Sequence, residues 1–278
     1  MAKAFDILEN PPENHNVDQA WFDAISQLLL NETTFMIGDQ PHRICEVEYY
    51  YNGDEHPDPF AHGDEVQLTH RRWYFHRDEG QYRGGSFKGL DVSFGREGAY
   101  GGVLIRTIEK PDGEVVNGCS LCVDHMLGVT GFAKVAALDG DIGTRLVDDA
   151  TSPLHLVHSP NLEPRDIDRT ARVGLTLKRA RQFKTMPQYI MKPYRALTRP
   201  RDIKKGRIHH VIALHKQGMA TEDIHQRSKS PRKTIGRYIE NYNVGLERED
   251  FKGYIGRSLK TADLCSLHGT WQAHYGTT

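Results

Sequence analysis

"HRICEVEYYYNG", residues 42–53, alternates between two sets of side chains before it runs into an Asn-Gly turn signal. With a period of two, Ile44, Glu46, Glu48 and Tyr50 share one face and Cys45, Val47, Tyr49 and Tyr51 the other, so the segment reads as a β-strand. Upstream, "DQAWFDAISQLLLNETTFMIG", residues 18–38, reads as an amphipathic helix running into an apolar strand. Downstream, Pro57 and Pro59 force an irregular loop that carries His62. "LDVSFG", residues 90–95, and "YGGVLIRTIE", residues 100–109, then look like two further strands, the second carrying Arg106. The expected fold is α+β: a curved, mainly antiparallel sheet with flanking helices over residues 1–203, followed by a small all-α module over 204–278. The boundary is drawn at "LTRPRDIKKGR", where proline and charge suit a linker.

The composition agrees with a folded chain of this kind. Its 278 residues can bury a substantial core, and 38% hydrophobic with 26% charged residues is ordinary for a soluble protein. No run approaches the ~18 apolar residues of a membrane span, and the start, "MAKAFDILENPPENH", lacks the apolar stretch of a secretory signal. A cytoplasmic location with no membrane partner is expected. Four cysteines make no disulfide framework; Cys119 and Cys122 form a lone C-x-x-C with Cys45 and Cys265 far away. Ordinary buried thiols are expected, with no metal and no other cofactor.

The net charge of −1 conceals a division along the chain. Residues 1–168 hold 13 Lys+Arg against 29 Asp+Glu, whereas residues 169–207 hold 13 against one. Aromatic residues Phe183, Tyr189 and Tyr194 lie between the charges of this basic band, a composition that suits a phosphate backbone. A solvated basic face would read the same way. Next comes "RIHHVIALHKQGMATEDIHQRSKSPRKTIGRYIENY", residues 207–242, with the grammar of three short helices. Ile208, Val211, Ile212 and Leu214 form an apolar stripe ended by Gly218; Thr221 is placed to cap a second helix with Ile224 inward. Ser230 or Pro231 opens a third, in which Ile235, Tyr238 and Ile239 pack and Arg232, Lys233, Thr234 and Arg237 face outward. This is a helix-turn-helix pattern, whose third helix enters the major groove or grips phosphates. Three-helix units also dock proteins; the adjoining basic band favours nucleic acid. Beyond residue 245, Trp271 and Tyr275 are expected to anchor the tail. In residues 110–168, "NGCSLCVDHMLGVTG" suggests a helix without an assigned role, and His125 is expected to be structural.

In order along the chain, Glu46-Val47-Glu48-Tyr49-Tyr50, then His62, Trp73-Tyr74-Phe75-His76, Asp91-Val92-Ser93, Leu104-Ile105-Arg106-Thr107-Ile108, Arg172-Val173-Gly174-Leu175 and Lys192-Pro193-Tyr194-Arg195 form a series. This series resembles the methylpurine (alkyladenine) DNA glycosylase family over roughly residues 18–198. The resemblance implies an enzyme that flips a base out of double-stranded DNA into a pocket. It makes Glu48 the catalytic carboxylate that deprotonates a water aimed at C1′. It also implies Tyr50 as one stacking wall, Tyr74 or Phe75 as the other, His62 at the pocket edge and Arg106 as a stabiliser of the pocket floor or of a nearby phosphate. By the same resemblance, with the basic band, Arg172, Lys178, Arg179, Arg181, Lys192 and Arg195 are candidate DNA contacts, joined by Arg232, Lys233 and Arg237 of the third helix. No lysine lies in the matched strand, which implies a monofunctional enzyme leaving an abasic site.

The departures from the family concern the base. Asp91 stands where the family has an Asn; an ionised carboxylate accepts hydrogen bonds only and suits an exocyclic amine such as N4 of cytosine. Tyr49 replaces a small residue, and "RDEGQYRGGSFKG", residues 77–89, interrupts the family's compact aromatic strand with glycines at 80, 84, 85 and 89. These features point toward a bulky modified base, such as hypermodified cytosine in viral DNA, and hence to antiviral defence. Other readings are an alkylated-purine repair glycosylase, a catalytically inactive helix-turn-helix DNA-binding regulator, and an RNA-binding platform.

Overall fold

The computed structural model describes residues 4–10 and 19–276; Asp18, the first residue of the expected N-terminal helix, and most of the "MAKAFDILENPPENH" start lie outside the described residues. The chain divides into two compact units: residues 1–57, 61–167 and 196–199 form one, and residues 58–60, 168–195 and 200–278 the other.

In the first unit, helix α1 (Gln19–Asn31) places Trp21, Phe22, Ile25, Leu28 and Leu29 on a buried stripe of helical spacing. It leads into β1 (Thr33–Ile37) and the long β2 (Gln40–Gly53), which contains the quoted strand. Strands β3 (His70–Phe75), β4 (Leu90–Phe94) and β5 (Tyr100–Glu109) follow. Helix α2 (Cys119–Thr130) is the helix expected from "NGCSLCVDHMLGVTG", and α3 (Val135–Ile142) and β6 (Leu154–His158) complete the unit. The main path through the sheet runs β6-β1-β2-β5-β4-β3, with every neighbouring pair antiparallel. The fold is α+β.

The pleat separates the three consecutive tyrosines. Tyr49 stacks on Phe22 of α1 with ring centroids 4.7 Å apart, and Tyr51 meets Trp21 edge-on at 5.8 Å. Tyr50 therefore projects from the opposite side. The alternation expected back to Ile44 does not run uninterrupted. The β2/β5 register shifts between Ile44 and Glu46 and again between Glu46 and Val47, where Arg106 is the unmatched residue of β5. Such a bulge re-aims a side chain. On α2, the half-buried His125 places its Nε2 2.9 Å from His42 Nε2 of β2.

Apart from residues 58–60, the second unit takes up the chain at Asp168 and residues 196–199 return to the first, so the expected boundary at 203/204 is not where the chain divides. The reason is packing: Ala171, Leu177, Ala180, Met186, Ile190 and Met191 of the basic band share one core with Phe251, Tyr254, Leu267 and Trp271. Helices α4 (Arg207–Lys216), α5 (Thr221–Ser228) and α6 (Arg232–Leu246) form the three-helix pattern around Val211, Leu214, Ile224 and Ile235, with Tyr238 and Ile239 against them. Thr221 is the first residue of α5; Ala220 holds the cap position, and its methyl accepts no bond from the helix's free N–H groups. The tail is a further helix, α7 (Thr261–Tyr275), crossing α6 at two glycines. A Cβ on Gly245 would lie 1.9 Å from the Ser266 carbonyl oxygen, and one on Gly269 would lie 2.0 Å from that of Tyr242. Only glycine permits that approach.

Candidate active site

The site is a row across the first unit's sheet. Glu48 of β2 lies opposite Leu104 of β5, Leu104 opposite Asp91 of β4, and Asp91 opposite Tyr74 of β3. Residues directly opposite in a sheet project from the same face, so the four side chains share the side away from α1. With neighbouring strands about 4.8 Å apart, Glu48 and Asp91 stand about 10 Å apart along the backbone.

At one end of the row, the Tyr50 hydroxyl donates to Glu48 Oε2 at 2.8 Å and Arg106 Nη1 donates to the same oxygen at 3.3 Å. Arg106 Nε also donates to Glu46 Oε1 at 2.9 Å, and Thr107 Oγ1 donates to Glu46 Oε2 at 2.5 Å. Glu48 is fully buried, and Glu46 and Arg106 nearly so. Burial acts against the charge on Arg106, yet the Glu48 and Glu46 carboxylates outweigh it and hold the guanidinium above its ordinary pKa. The bulge at Arg106 is what lets one cation serve two carboxylates.

At the other end, Asp91 accepts from His76 Nε2 at 2.7 Å and from the Gln67 amide at 3.2 Å. Gly102 makes room for this arrangement, since a Cβ there would lie 2.4 Å from Asp91 Oδ2. The His62 ring meets the His76 ring at 4.5 Å, and its Nδ1 lies 3.2 Å from the Tyr74 hydroxyl. Burial, with His76 adding to it, pulls the His62 pKa down to about 4, so His62 is neutral at neutral pH. Burial pushes the Tyr74 phenol upward. Cys119, the first residue of α2, has its thiol pKa raised by burial, with Glu48 and Asp91 adding to the rise and Arg106 opposing it. That places the α2 N-terminus within electrostatic reach of both ends of the row.

Glu48, Tyr50, His62, Tyr74, Asp91 and Arg106 thus belong to one site region. Phe75 does not: it pairs with Leu90 on the opposite face of β3 and is buried there, because the pleat turns it away from Tyr74. Four partners went unassigned in the sequence. Glu46 and His76 carry a legible signal, the same strand parity as Glu48 and Tyr74. Gln67 and Cys119 carry none, since they arrive from a single-turn helix and from α2 through tertiary packing.

The candidate DNA contacts divide. Arg172 is buried, with Nη1 2.5 Å from Asp58 Oδ2 and Nη2 donating to the Tyr189 carbonyl; Arg195 is buried and donates to Thr170 Oγ1 and to the Lys205 and Gly206 carbonyls. Both are internal braces of the second unit and cannot reach a phosphate. Lys192 is half-buried over the Tyr189 ring, and burial lowers its pKa. Arg232 is exposed but held by Glu222 through two bonds of 2.6 and 2.7 Å. Lys178, Arg179, Arg181, Lys233 and Arg237 are exposed.

Among the described residues, no three His, Cys, Asp or Glu side chains are grouped to hold a metal ion, and no single helix is long and apolar enough to cross a membrane. No family model matches the chain. The chain is 26% identical over 187 residues to an uncharacterized protein of Acanthamoeba polyphaga mimivirus, a match covering 62% of this chain and 86% of that protein.

Proposed function

We propose that this protein is a monofunctional DNA glycosylase that everts a modified base from double-stranded DNA and hydrolyses its N-glycosidic bond. The observation that carries the reading is the buried Glu48 carboxylate, held by Arg106 and Tyr50 on the same sheet face as Tyr74 and Asp91. Glu48 takes a proton from water, and the water oxygen bonds to C1′. The bond from C1′ to the base breaks, and its electron pair leaves with the base. Tyr50 and Tyr74 offer rings to replace lost stacking. Asp91, fixed by His76 and Gln67, presents acceptors to an exocyclic amine, which favours hypermodified cytosine over small alkylated purines and suits a defence against viral DNA. Phosphates fall to Lys178, Arg179, Arg181, Lys233 and Arg237 in the second unit.

Incubation with duplexes carrying glucosylated hydroxymethylcytosine or alkylated purines, scored for alkali-labile sites, tests the reading. Wild type should cleave and Glu48→Gln should bind without releasing base; release confined to alkylpurine would remove the cytosine assignment. The exposed Lys233 and Arg237 on the third helix of a helix-turn-helix favour a second reading, a regulator that binds DNA and leaves every base in place. Sequence-selective binding with no release from any duplex would establish it.

A further inference from the structure

At the end of the sheet where Asn52 of β2 lies opposite Tyr100 of β5, two tight turns face each other. In one, Gly53 pairs with His56 across Asp54-Glu55; in the other, Arg96 and Ala99 exchange two backbone hydrogen bonds of 2.9 Å across Glu97-Gly98. Between the turns lies a cavity of about 260 Å³, lined by Tyr51, Asp54, Glu55, His56, Arg96 and Glu97. The turns touch at small residues, since a Cβ on Gly53 would lie 2.9 Å from the Ala99 Cβ. Tyr51 is 2% exposed, its ring packed against Trp21, His56 and Phe94, yet its hydroxyl has no hydrogen-bond partner among the described residues. Buried hydroxyls are nearly always bonded, because an unmet one forfeits its bonds to water. The hydroxyl end lies toward the two turns: burial raises the phenol pKa, Arg96 stands near enough to oppose the rise without bonding the oxygen, and Glu55 adds to it. The charges around the cavity are uncommitted as well. Among the described residues, Arg96 makes no ion pair with Asp54, Glu55 or Glu97, although all four line the same space.

We infer that this cavity binds a small zwitterion of the free α-amino-acid class. The ligand's carboxylate accepts from the Tyr51 hydroxyl and the Arg96 guanidinium, and its ammonium donates to the Glu55 and Glu97 carboxylates, with Asp54 adding negative charge beside them. A plain anion would meet three carboxylates, and a plain cation would leave Arg96 and the phenol unserved. The volume falls below the ~300–1,000 Å³ of pockets for drug-sized ligands, which limits the occupant to a small molecule. Tyr51 packs toward α1 with Tyr49, whereas Tyr50 and Glu48 project from the other face of β2. The cavity is therefore separate from the row that holds Glu48, and the assignment does not depend on the glycosylase reading.

Titration calorimetry of the full chain against each protein amino acid, supplied singly at millimolar concentration, tests the assignment. At least one should bind saturably, and its decarboxylated amine and its deaminated acid should each bind more weakly by about tenfold or more. Tyr51→Phe removes only an oxygen that nothing in the protein bonds, so it should melt at or above the wild-type temperature and weaken binding by about tenfold. Arg96→Gln should weaken the amino acid and spare its amine, and Glu97→Gln should weaken the amino acid and spare its acid. No saturable binding by any protein amino acid, equal affinity for the amine or the acid, or wild-type affinity in Tyr51→Phe overturns the assignment.

Discussion

Replacing Arg106 with Met keeps the apolar stem and removes the guanidinium that serves two buried carboxylates. Glu48 is fully buried and Glu46 3% exposed, with Arg106 donors at 3.3 and 2.9 Å. An exposed ion pair contributes about 0–1 kcal/mol, but removing one partner of a buried pair costs about 3–5 kcal/mol because the other charge stays desolvated. At about 2–4 °C per kcal/mol for a chain near this size, the melting temperature of the first unit should fall by about 6–20 °C. Glu48→Gln should cost only about 1 kcal/mol, because an amide oxygen still accepts from Tyr50 and Arg106 keeps Glu46. The double variant removes one of the charges that the guanidinium had balanced, so its loss should be smaller than the sum of the two single losses by about 1–3 kcal/mol. Urea unfolding followed through the tryptophans, two of which, Trp21 and Trp73, are buried in the first unit, measures all three. An Arg106→Met variant as stable as wild type, or strict additivity in the double variant, would refute a buried cation shared between Glu46 and Glu48.

The second unit supplies a charge test: Lys178→Glu, Arg179→Glu and Arg181→Glu should each weaken duplex binding and flatten its salt dependence by about one unit of slope. Arg172→Met should instead lower thermal stability with no change in that slope, since its partner is the buried Asp58. Acid should destabilise both units. Burial holds His62 at about 4 and, with His209 adding, His268 well below 6.5. The unfolded chain therefore takes up protons below pH 6.5 that the folded chain refuses. Stability should be full above pH 6.5 and fall progressively toward pH 4, and His268→Gln should flatten that fall in urea midpoints of the second unit. Gly269→Val should unfold the α6/α7 crossing, read by circular dichroism, because its Cβ would meet the Tyr242 carbonyl at 2.0 Å.

Local pattern and chemistry were enough to read the elements. The period of two in residues 42–53 marked β2 and placed Glu48 and Tyr50 on one face; the helical spacing of Val211, Leu214, Ile224 and Ile235 marked three helices and their shared core. Both follow from backbone geometry, which repeats along a few residues and leaves its mark in the order of side chains. Charge density along residues 169–207 was also legible, but the fate of each charge was not. Arg172 and Arg179 are seven residues apart in one basic band, yet Asp58, far away in sequence, buries the first while the second remains exposed. Likewise the bulge that brings Arg106 to two carboxylates, the pairing of His76 with Asp91 and the rejection of Phe75 from the site depend on which strand lies beside which. The sequence by itself determined the class of fold and the chemical types available to the site. Tertiary structure decided which of those groups meet, because burial and pairing are properties of partners distant along the chain, and composition carries no record of them.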